Sequence, residues 1–414
     1  MESTITKTGR AYLRWALAEG VGPLALSRIL IQFGTVEQAL GATAAELARI
    51  RRIGEKTADR IARSRDAADV EREVAIAAEH GVRIICREDD DYPPGLRQIP
   101  DAPIVLYVKG QLRPTDAVAI AVVGTRRCSI YGSEQARRFG ELLAGAGFTV
   151  VSGLARGVDA FAHHGAVDAG GRSIAVMGRG LTEIYPPENE ALAAKLLDHG
   201  AWISELPMAT AVARNTFPSR NRIIAGMSLG TLVIEAPRRS GALITARLAS
   251  EYNREVFALP GRAQDVASAG TNDLIRRGYA KLTTCLEDIL EELGEVGEKL
   301  AANAPPPAGR GQGSSVRGEG RAGPGGEGSP GGSGAPRTGP NALGESGSPG
   351  PLAHLSEIEK RVYEAVGYDP VFQDLVLAAT GLPPGEVLAA FTSLELRGLI
   401  KRLPGQLVVR VGHA

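Results

Sequence analysis

Glycine, small hydroxyls and arginine recur together at four places in this sequence: Gly124-Thr125-Arg126-Arg127, Ser152-Gly153-Leu154-Ala155-Arg156-Gly157, Gly178-Arg179-Gly180 and Arg238-Arg239-Ser240-Gly241. That combination suits phosphate, because glycine lets backbone N–H groups approach an anion and arginine adds a fork of charged donors. Between Arg214 and Arg247 there are six arginines and one acid, Glu235. A single mononucleotide does not need so long a basic edge, whereas a run of phosphates does. The G-x-G-x-x-G fingerprint is missing after Val123, which excludes an ordinary NAD site.

Bond-making chemistry has weaker support. Asp159 and His163 stand at i, i+4 on a helix behind a glycine loop, where they are expected to cap the helix and anchor that loop. His163 and His164 are neighbours, so they diverge around a helix and cannot share a metal as H-E-x-x-H does. There is no base–nucleophile pair and no acidic cluster for Mg²⁺; Cys128 lacks a partner histidine, and Ser152 and Ser240 read as phosphate or turn donors. No catalytic residue, cofactor or metal is expected.

Apolar runs precede each of these loops. Ala117–Val123, Val150-Val151-Ser152, Ile174–Met177 and Thr231–Glu235 read as strands buried on both faces. Amphipathic stretches follow, one with Phe139, Leu142, Leu143 and Ala146 on a single face, another with Val158, Phe161, Ala162 and Ala166 inward. Further helices are expected at Ala191–Leu197, Asn221–Met227 and Ala242–Tyr252, with strands at Trp202-Ile203-Ser204 and Val256–Leu259, the last closing the series. This alternation predicts an α/β fold with a parallel, doubly wound sheet, in which ligands sit at the carboxyl ends of the strands. His80–Cys86 reads as a turn followed by a strand and Ile104–Val108 as another strand, both expected to extend the sheet, with turn chemistry between them at Asp91–Leu96.

The flanks differ in character. Residues 1 to 70 read as short helices, with two similar turns, Gly20-Val21-Gly22 and Arg52-Ile53-Gly54, each leading into a helix. That is the helix-hairpin-helix pattern, and seven basic against two acidic residues from Arg49 to Arg65 favour a DNA phosphate as its partner. A small helical interaction domain with solvated arginines fits equally. Residues 296–352 are dominated by Gly, Pro and Ser, and such a segment is expected to be a disordered tether. Residues 353–414 regain periodicity with helices at 356–366, 371–380 and 385–397 and then a two-stranded hairpin, the winged-helix pattern. Its third helix offers Glu386, Glu395 and only Arg397, and the module counts six basic and seven acidic residues, which favours a protein partner over DNA. The core between these flanks spans 71–295.

Forty-seven basic and 47 acidic residues cancel, so any polyanion must be held by locally concentrated charge. Three cysteines without a CxxC pair argue against a disulfide framework, and no apolar run approaches the roughly 20 residues needed to span a bilayer. A soluble, cytoplasmic protein with no membrane partner is expected.

These motifs, taken in order, resemble the DNA-processing protein A family of bacteria (DprA, also called Smf). The resemblance rests on Gly124-Thr125-Arg126 with Tyr131-Gly132, Ser152 through Ala160 with His163, and Tyr185-Pro186 with Asn189. Phe217 through Gly226, Glu235-Ala236 with Ser240-Gly241, and Leu259-Pro260-Gly261 continue it. It runs from about residue 10 to 290, and the last module resembles the family's optional winged helix. It implies an extended Rossmann-like, mainly parallel core between a helix-hairpin-helix (SAM-like) domain and a winged-helix domain. It also implies a non-enzymatic homodimer that binds single-stranded DNA and hands it to the recombinase RecA past SSB during natural transformation. By position, Arg126 matches the basic residue of the family's first loop, Arg214 a position often lysine, and Phe217 an aromatic that lines the pocket. The expected DNA-binding set is Gly124, Thr125, Arg126, Arg127, Ser152, Gly153, Arg156, Gly157, Arg214, Phe217, Arg220, Asn221, Arg222, Ser240 and Gly241. Ala209-Thr210-Ala211-Val212 departs from the family's Gly-Thr-x-Pro. A rival reading is a nucleotide-monophosphate phosphoribohydrolase, faintly echoed by Gly226-Met227-Ser228-Leu229-Gly230-Thr231 with Glu235.

Overall fold

The computed structural model describes residues 5–213, 216–301, 355–367, 371–397, 399–403 and 406–410. Nine strands form the main sheet: β1 (Val82–Cys86), β2 (Val105–Gly110), β3 (Ala119–Val123), β4 (Thr149–Ser152), β5 (Ser173–Val176), β6 (Ala201–Ser204), β7 (Gly230–Val233), β8 (Glu255–Ala258) and β9 (Lys281–Leu282). Their spatial order is β1-β2-β6-β5-β4-β3-β7-β8-β9. Every neighbour from β6 to β9 is parallel, while β1 with β2 and β2 with β6 are antiparallel. The chain winds outward from β3 through β4, β5 and β6, then returns to the other side of β3 for β7, so a topological switch point opens between β3 and β7.

The centre of the sheet follows from its residues. All five side chains of β3 are buried, as a strand covered by helices on both faces requires. Alanine alternates with Ile and Val there, and the small side chains let helices lie close. Helix Ile130–Gly145 and helix Val158–Asp168, which follow β3 and β4, come closer still. A Cβ on Gly140 would stand 2.2 Å from the Ala162 carbonyl oxygen, and one on Gly165 would stand 2.0 Å from that of Arg137. No larger residue fits at that crossing, and it draws the loops that open the two helices together.

The structure revises several sequence expectations. Phe161 is 37 % exposed instead of facing inward, although Val158, Ala162 and Ala166 are buried as expected. The sheet does not close at β8; β9 adds a two-residue edge strand too short to show a periodicity. Pro94–Arg97 is a short helix within the predicted turn. Helix Thr216–Met227 begins five residues before the predicted Asn221. Residues 295–301 are helical, which takes 296–301 out of the predicted tether; Val296 and Leu300 pack on the core cluster that holds Leu290 and Leu293. The rest of the predicted tether, 302–352, lies outside the described residues.

The N-terminal helices, Lys7–Ala16 through Val70–Glu79, do not carry a separate core. Leu13, Trp15, Ile29 and Ile61 belong to one buried cluster with Val82, Ile84, Tyr107 and Trp202 of the sheet. In the C-terminal module the order is helix Glu357–Ala365, β10 (Val371–Phe372), helix Gln373–Thr380, helix Pro384–Leu396, β11 (Ile400–Leu403) and β12 (Leu407–Arg410). Val371 and Phe372 therefore open a third strand, paired with β12, where a helix start was expected. Helices and a three-stranded sheet in this order make a winged helix. No single helix among the described residues is long and apolar enough to cross a membrane.

Candidate nucleic-acid interface

The four arginine-bearing loops end β5, β4, β3 and β7, which are consecutive neighbours in the sheet, so they line one continuous rim. Adjacent loops are joined by backbone. Gly157, with φ +74°, would put a Cβ 2.4 Å from the Thr125 carbonyl, and the Val158 N–H donates to that same oxygen at 3.2 Å. Thr125 in turn donates its N–H to the Glu235 carbonyl at 2.7 Å. Thr216 Oγ1 donates to the Gly178 carbonyl at 2.6 Å, which ties the start of the Phe217 helix to the β5 loop.

Two adjoining clefts lie over this rim. One, of about 330 Å³, sits at the switch point and includes Gly124, Thr125, Arg239, Ser240 and Gly241 in its wall. The other is lined by Arg126, Arg156, Arg179, Tyr185 and Phe217 among others. The Arg126 guanidinium carbon lies 4.6 Å from the Phe217 ring centroid, a cation–π contact, and belongs to both linings. Tyr185 stands 6.2 Å from Phe217 between centroids, tilted by 46°. Arg126, Arg127 and Arg239 are exposed. Arg156 is exposed and ion-paired with Glu188, which draws the Glu188 carboxyl below the usual range. Exposed cations beside a pair of aromatic rings can hold a phosphate and a base together.

Not every predicted residue is free to meet a strand, although Arg220 and Asn221 do line the switch-point cleft. Arg220 is 5 % exposed and donates to the carbonyls of Gly153 (2.7 Å) and Val176, beneath the β4 loop. A Cβ on Gly153 would lie 2.1 Å from its Nη1, so this glycine makes way for a guanidinium and not for DNA. Burial brings the Arg220 pKa down to about 10, against the attraction of buried Asp159. Arg222 points elsewhere, paired with Glu205, just after β6, and with Asp101, in the segment before β2. Burial raises the Glu205 carboxyl even so. Asn221 reaches the Gly241 carbonyl at 3.4 Å and steadies the β7 loop. The Ser152 hydroxyl is buried and donates to Val122 at 2.6 Å. Arg214 lies outside the described residues.

Sequence reasoning also placed free N–H groups at the start of the helix after β3. There the N-terminus is already filled: Glu235, 2 % exposed, accepts from Ser129 N (2.8 Å) and Ser129 Oγ (2.7 Å), and Ser129 caps Gly132. The anion at this helix is the protein's own, so the rim offers guanidinium groups where backbone donors were expected. Tyr185, Arg179 and Arg239 were missing from the expected set. The recurrence of Gly178-Arg179-Gly180 and Arg238-Arg239 at strand ends was the available signal for the arginines, and Tyr185 carried none beyond its place in the family motif.

Asp159 anchors its loop as expected, accepting from Gly153 N at 3.1 Å. Burial raises its pKa, opposed by Arg220 and by the N–H groups of Ala155 and Gly153. His163 instead meets Ser173 of β5 at 2.7 Å. Because Ser173 donates to the Val150 carbonyl, the assigned tautomer places the proton on His163 Nδ1 and leaves Nε2 bare. Burial, with His164 and Arg220 adding, pushes its pKa down to about 3. The unfolded chain binds this proton near the ordinary value and the fold refuses it. Stability is therefore full above about pH 6.5 and falls by up to about 1.4 kcal/mol per pH unit below it. His163→Leu should flatten that acid limb in urea titrations between about pH 6 and 4; an unchanged slope would remove His163 as its cause.

A mainly parallel, doubly wound sheet with an arginine-lined rim and an appended winged helix defines a Rossmann-type protein with a cationic edge. The family described as DNA recombination-mediator protein A matches residues 83–294, and the DprA winged helix domain matches residues 346–406. The Smf protein of Synechocystis is 34 % identical over 95 % of this chain and 96 % of its own length. That of Escherichia coli is 47 % identical over 51 % of this chain and 56 % of its own length. The solved structure of DNA processing protein A from Streptococcus pneumoniae superposes with a TM-score of 0.59 at 33 % identity, covering 68 % of this chain and 97 % of that one. This chain belongs to the DprA/Smf family of DNA-processing proteins.

Proposed function

We propose that this protein is a single-stranded-DNA-binding recombination mediator, which shields an incoming strand during natural transformation and loads RecA onto it past SSB. It acts as a homodimer through the Rossmann-like core and makes or breaks no bond. The observation that carries this reading is the Arg126–Phe217 pair at the meeting of the two clefts: one residue suited to a phosphate, the other to a base, on a rim studded with further arginines. The match to DNA processing protein A supports the nature of the ligand. The hydrolase alternative loses its acid, because the Glu235 carboxylate is buried against Ser129. Gly226 there serves helix packing, its Cβ position lying 2.9 Å from Ile99.

Fluorescence anisotropy tests the binding step. A labelled single strand of about 20 nucleotides should bind tightly at low salt, and log K should fall with log salt at about −0.7 per phosphate contacted. A mononucleotide should neither compete at matched phosphate concentration nor be cleaved to free base. In a second assay the protein should speed RecA filament growth on SSB-coated strands. Release of base, or a salt-independent affinity, would refute the reading.

A further inference from the structure

The N-terminal module carries a cationic face that the rim does not use. Within Arg49–Arg65, Ile53, Ala58 and Ile61 turn into the shared core. Arg65 is buried too: it donates to the Ala42 carbonyl at 2.8 Å, pairs with Asp66, and lies 5.4 Å over Trp15. The other cations face outward. Arg51, Arg52, Lys56, Arg60 and Arg63 are all exposed, and none forms an ion pair among the described residues, although Glu55 and Asp59 share the helix. Lys56, Arg60 and Arg63 follow i, i+4, i+7, one stripe along helix Glu55–Ala67, with Arg51 and Arg52 at its head. At 1.5 Å per residue Lys56, Arg60 and Arg63 extend over about 10 Å of helix, with Arg51 and Arg52 in the turn before it.

The first hairpin packs against the middle of that stripe. The Arg60 guanidinium lies 3.4 Å from where a Gly20 Cβ would stand, and Glu19 N donates to Ser64 Oγ at 2.9 Å. Arg60, six residues beyond Gly54, brings the first turn to about 9 Å along the helix from the second. That separation is comparable to a minor groove about 6 Å wide with its flanking phosphates.

We infer that this face binds the backbone of duplex DNA, at a site separate from the rim. The absence of stacking platforms decides between duplex and single strand. Tyr12 and Trp15 are buried and Phe33 is packed against the core, so no exposed ring accompanies the cations. Single strands gain affinity from bases stacked on aromatic side chains, whereas a duplex has stacked its own bases and presents phosphates. A patch made only of charge fits the duplex. The winged helix does not compete for this role: the outward residues of its third helix include Glu386, Leu388, Ala389 and Thr392.

The test uses the full chain and two labelled probes, a blunt duplex of about 20 base pairs and a single strand of the same length. In the triple variant Arg51→Glu, Lys56→Glu, Arg63→Glu, duplex affinity should fall about 30-fold or more and its salt slope should shrink by about 2 to 3, while single-strand affinity stays within about twofold. Arg126→Glu should give the opposite pattern. A triple Gln variant, with an intermediate loss and an unchanged melting temperature, separates lost charge from misfolding. Equal losses on both probes, an unaltered duplex affinity, or a wild-type protein that ignores duplex at low salt would each overturn the inference. Failure of the single-strand arm alone would count against the rim and leave this site standing.

Discussion

Arg126→Glu should weaken single-strand binding by about 100- to 1,000-fold at low salt and leave the melting temperature nearly unchanged. The side chain is exposed and forms no ion pair among the described residues, its contact within the fold being the face of Phe217, so most of the effect falls on the ligand. A charge-assisted contact is worth about 1.5–3 kcal/mol, and a carboxylate in its place adds repulsion to the loss. Arg126 also covers a face of Phe217, a ring that borders both clefts, the smaller with room for about one water molecule and the larger of about 330 Å³. A base stacking on the face that Arg126 covers must displace the guanidinium. Phe217→Ala therefore differs in kind: it should cost about 1–3 kcal/mol and leave the salt slope unchanged, whereas Arg126→Glu reduces the slope. Anisotropy titrations of both variants at several salt concentrations separate the two roles. Equal slopes, or wild-type affinity in Arg126→Glu, would show that the rim is not the site.

The sheet was legible because its chemistry is local. Strands such as Ala119–Val123 are short Val, Ile and Ala runs stopped by glycine, and the helices between them repeat at a helical period. That pattern was enough to place the loops at neighbouring strand ends. What it could not supply was direction. Arg126, Arg220 and Arg222 look alike as letters, yet one covers a ring in the cleft, one holds up a loop from below, and one joins the segment before β2 to the residue after β6. Every residue from Arg220 to Met227 is buried, so the helix has no exposed stripe there from which to read its phase. Glu235 hid for a related reason: it is the lone acid in an arginine-rich stretch, and its partner Ser129 lies 106 residues away. Two-residue strands such as β9 and β10 are specified by their neighbours, not by their own composition.

The burial of Arg220 sets up the sharpest disagreement between sequence and structure. If it were a phosphate ligand, as its place in Phe217-Pro218-Ser219-Arg220 suggests, Arg220→Met would lower DNA affinity and spare the fold. The structure requires the reverse order of effects. Removing the guanidinium leaves the Gly153 and Val176 carbonyls without their donor and Asp159 without its counter-charge, all under the β4 loop. Leaving a buried carboxylate without its nearby cation, and two carbonyls without a donor, costs about 3–5 kcal/mol. Adding Asp159→Asn to Arg220→Met should recover part of that loss, which an independent pair of sites would not do. The pH dependence carries the same signature. The Asp159 pKa is already raised by burial and climbs further once Arg220 is gone, so the folded state holds a proton that the unfolded chain releases. The penalty is absent below the unfolded value and grows as pH rises from there toward the folded one, so the single variant should be closer to wild type at about pH 5 than at about pH 8. Urea titrations at the two pH values measure this directly. DNA affinity falls as well, through the displaced loop, and the double variant carrying Asp159→Asn should regain affinity in step with stability. Lost affinity at an unaltered melting temperature would instead make Arg220 a ligand and turn this helix toward the strand.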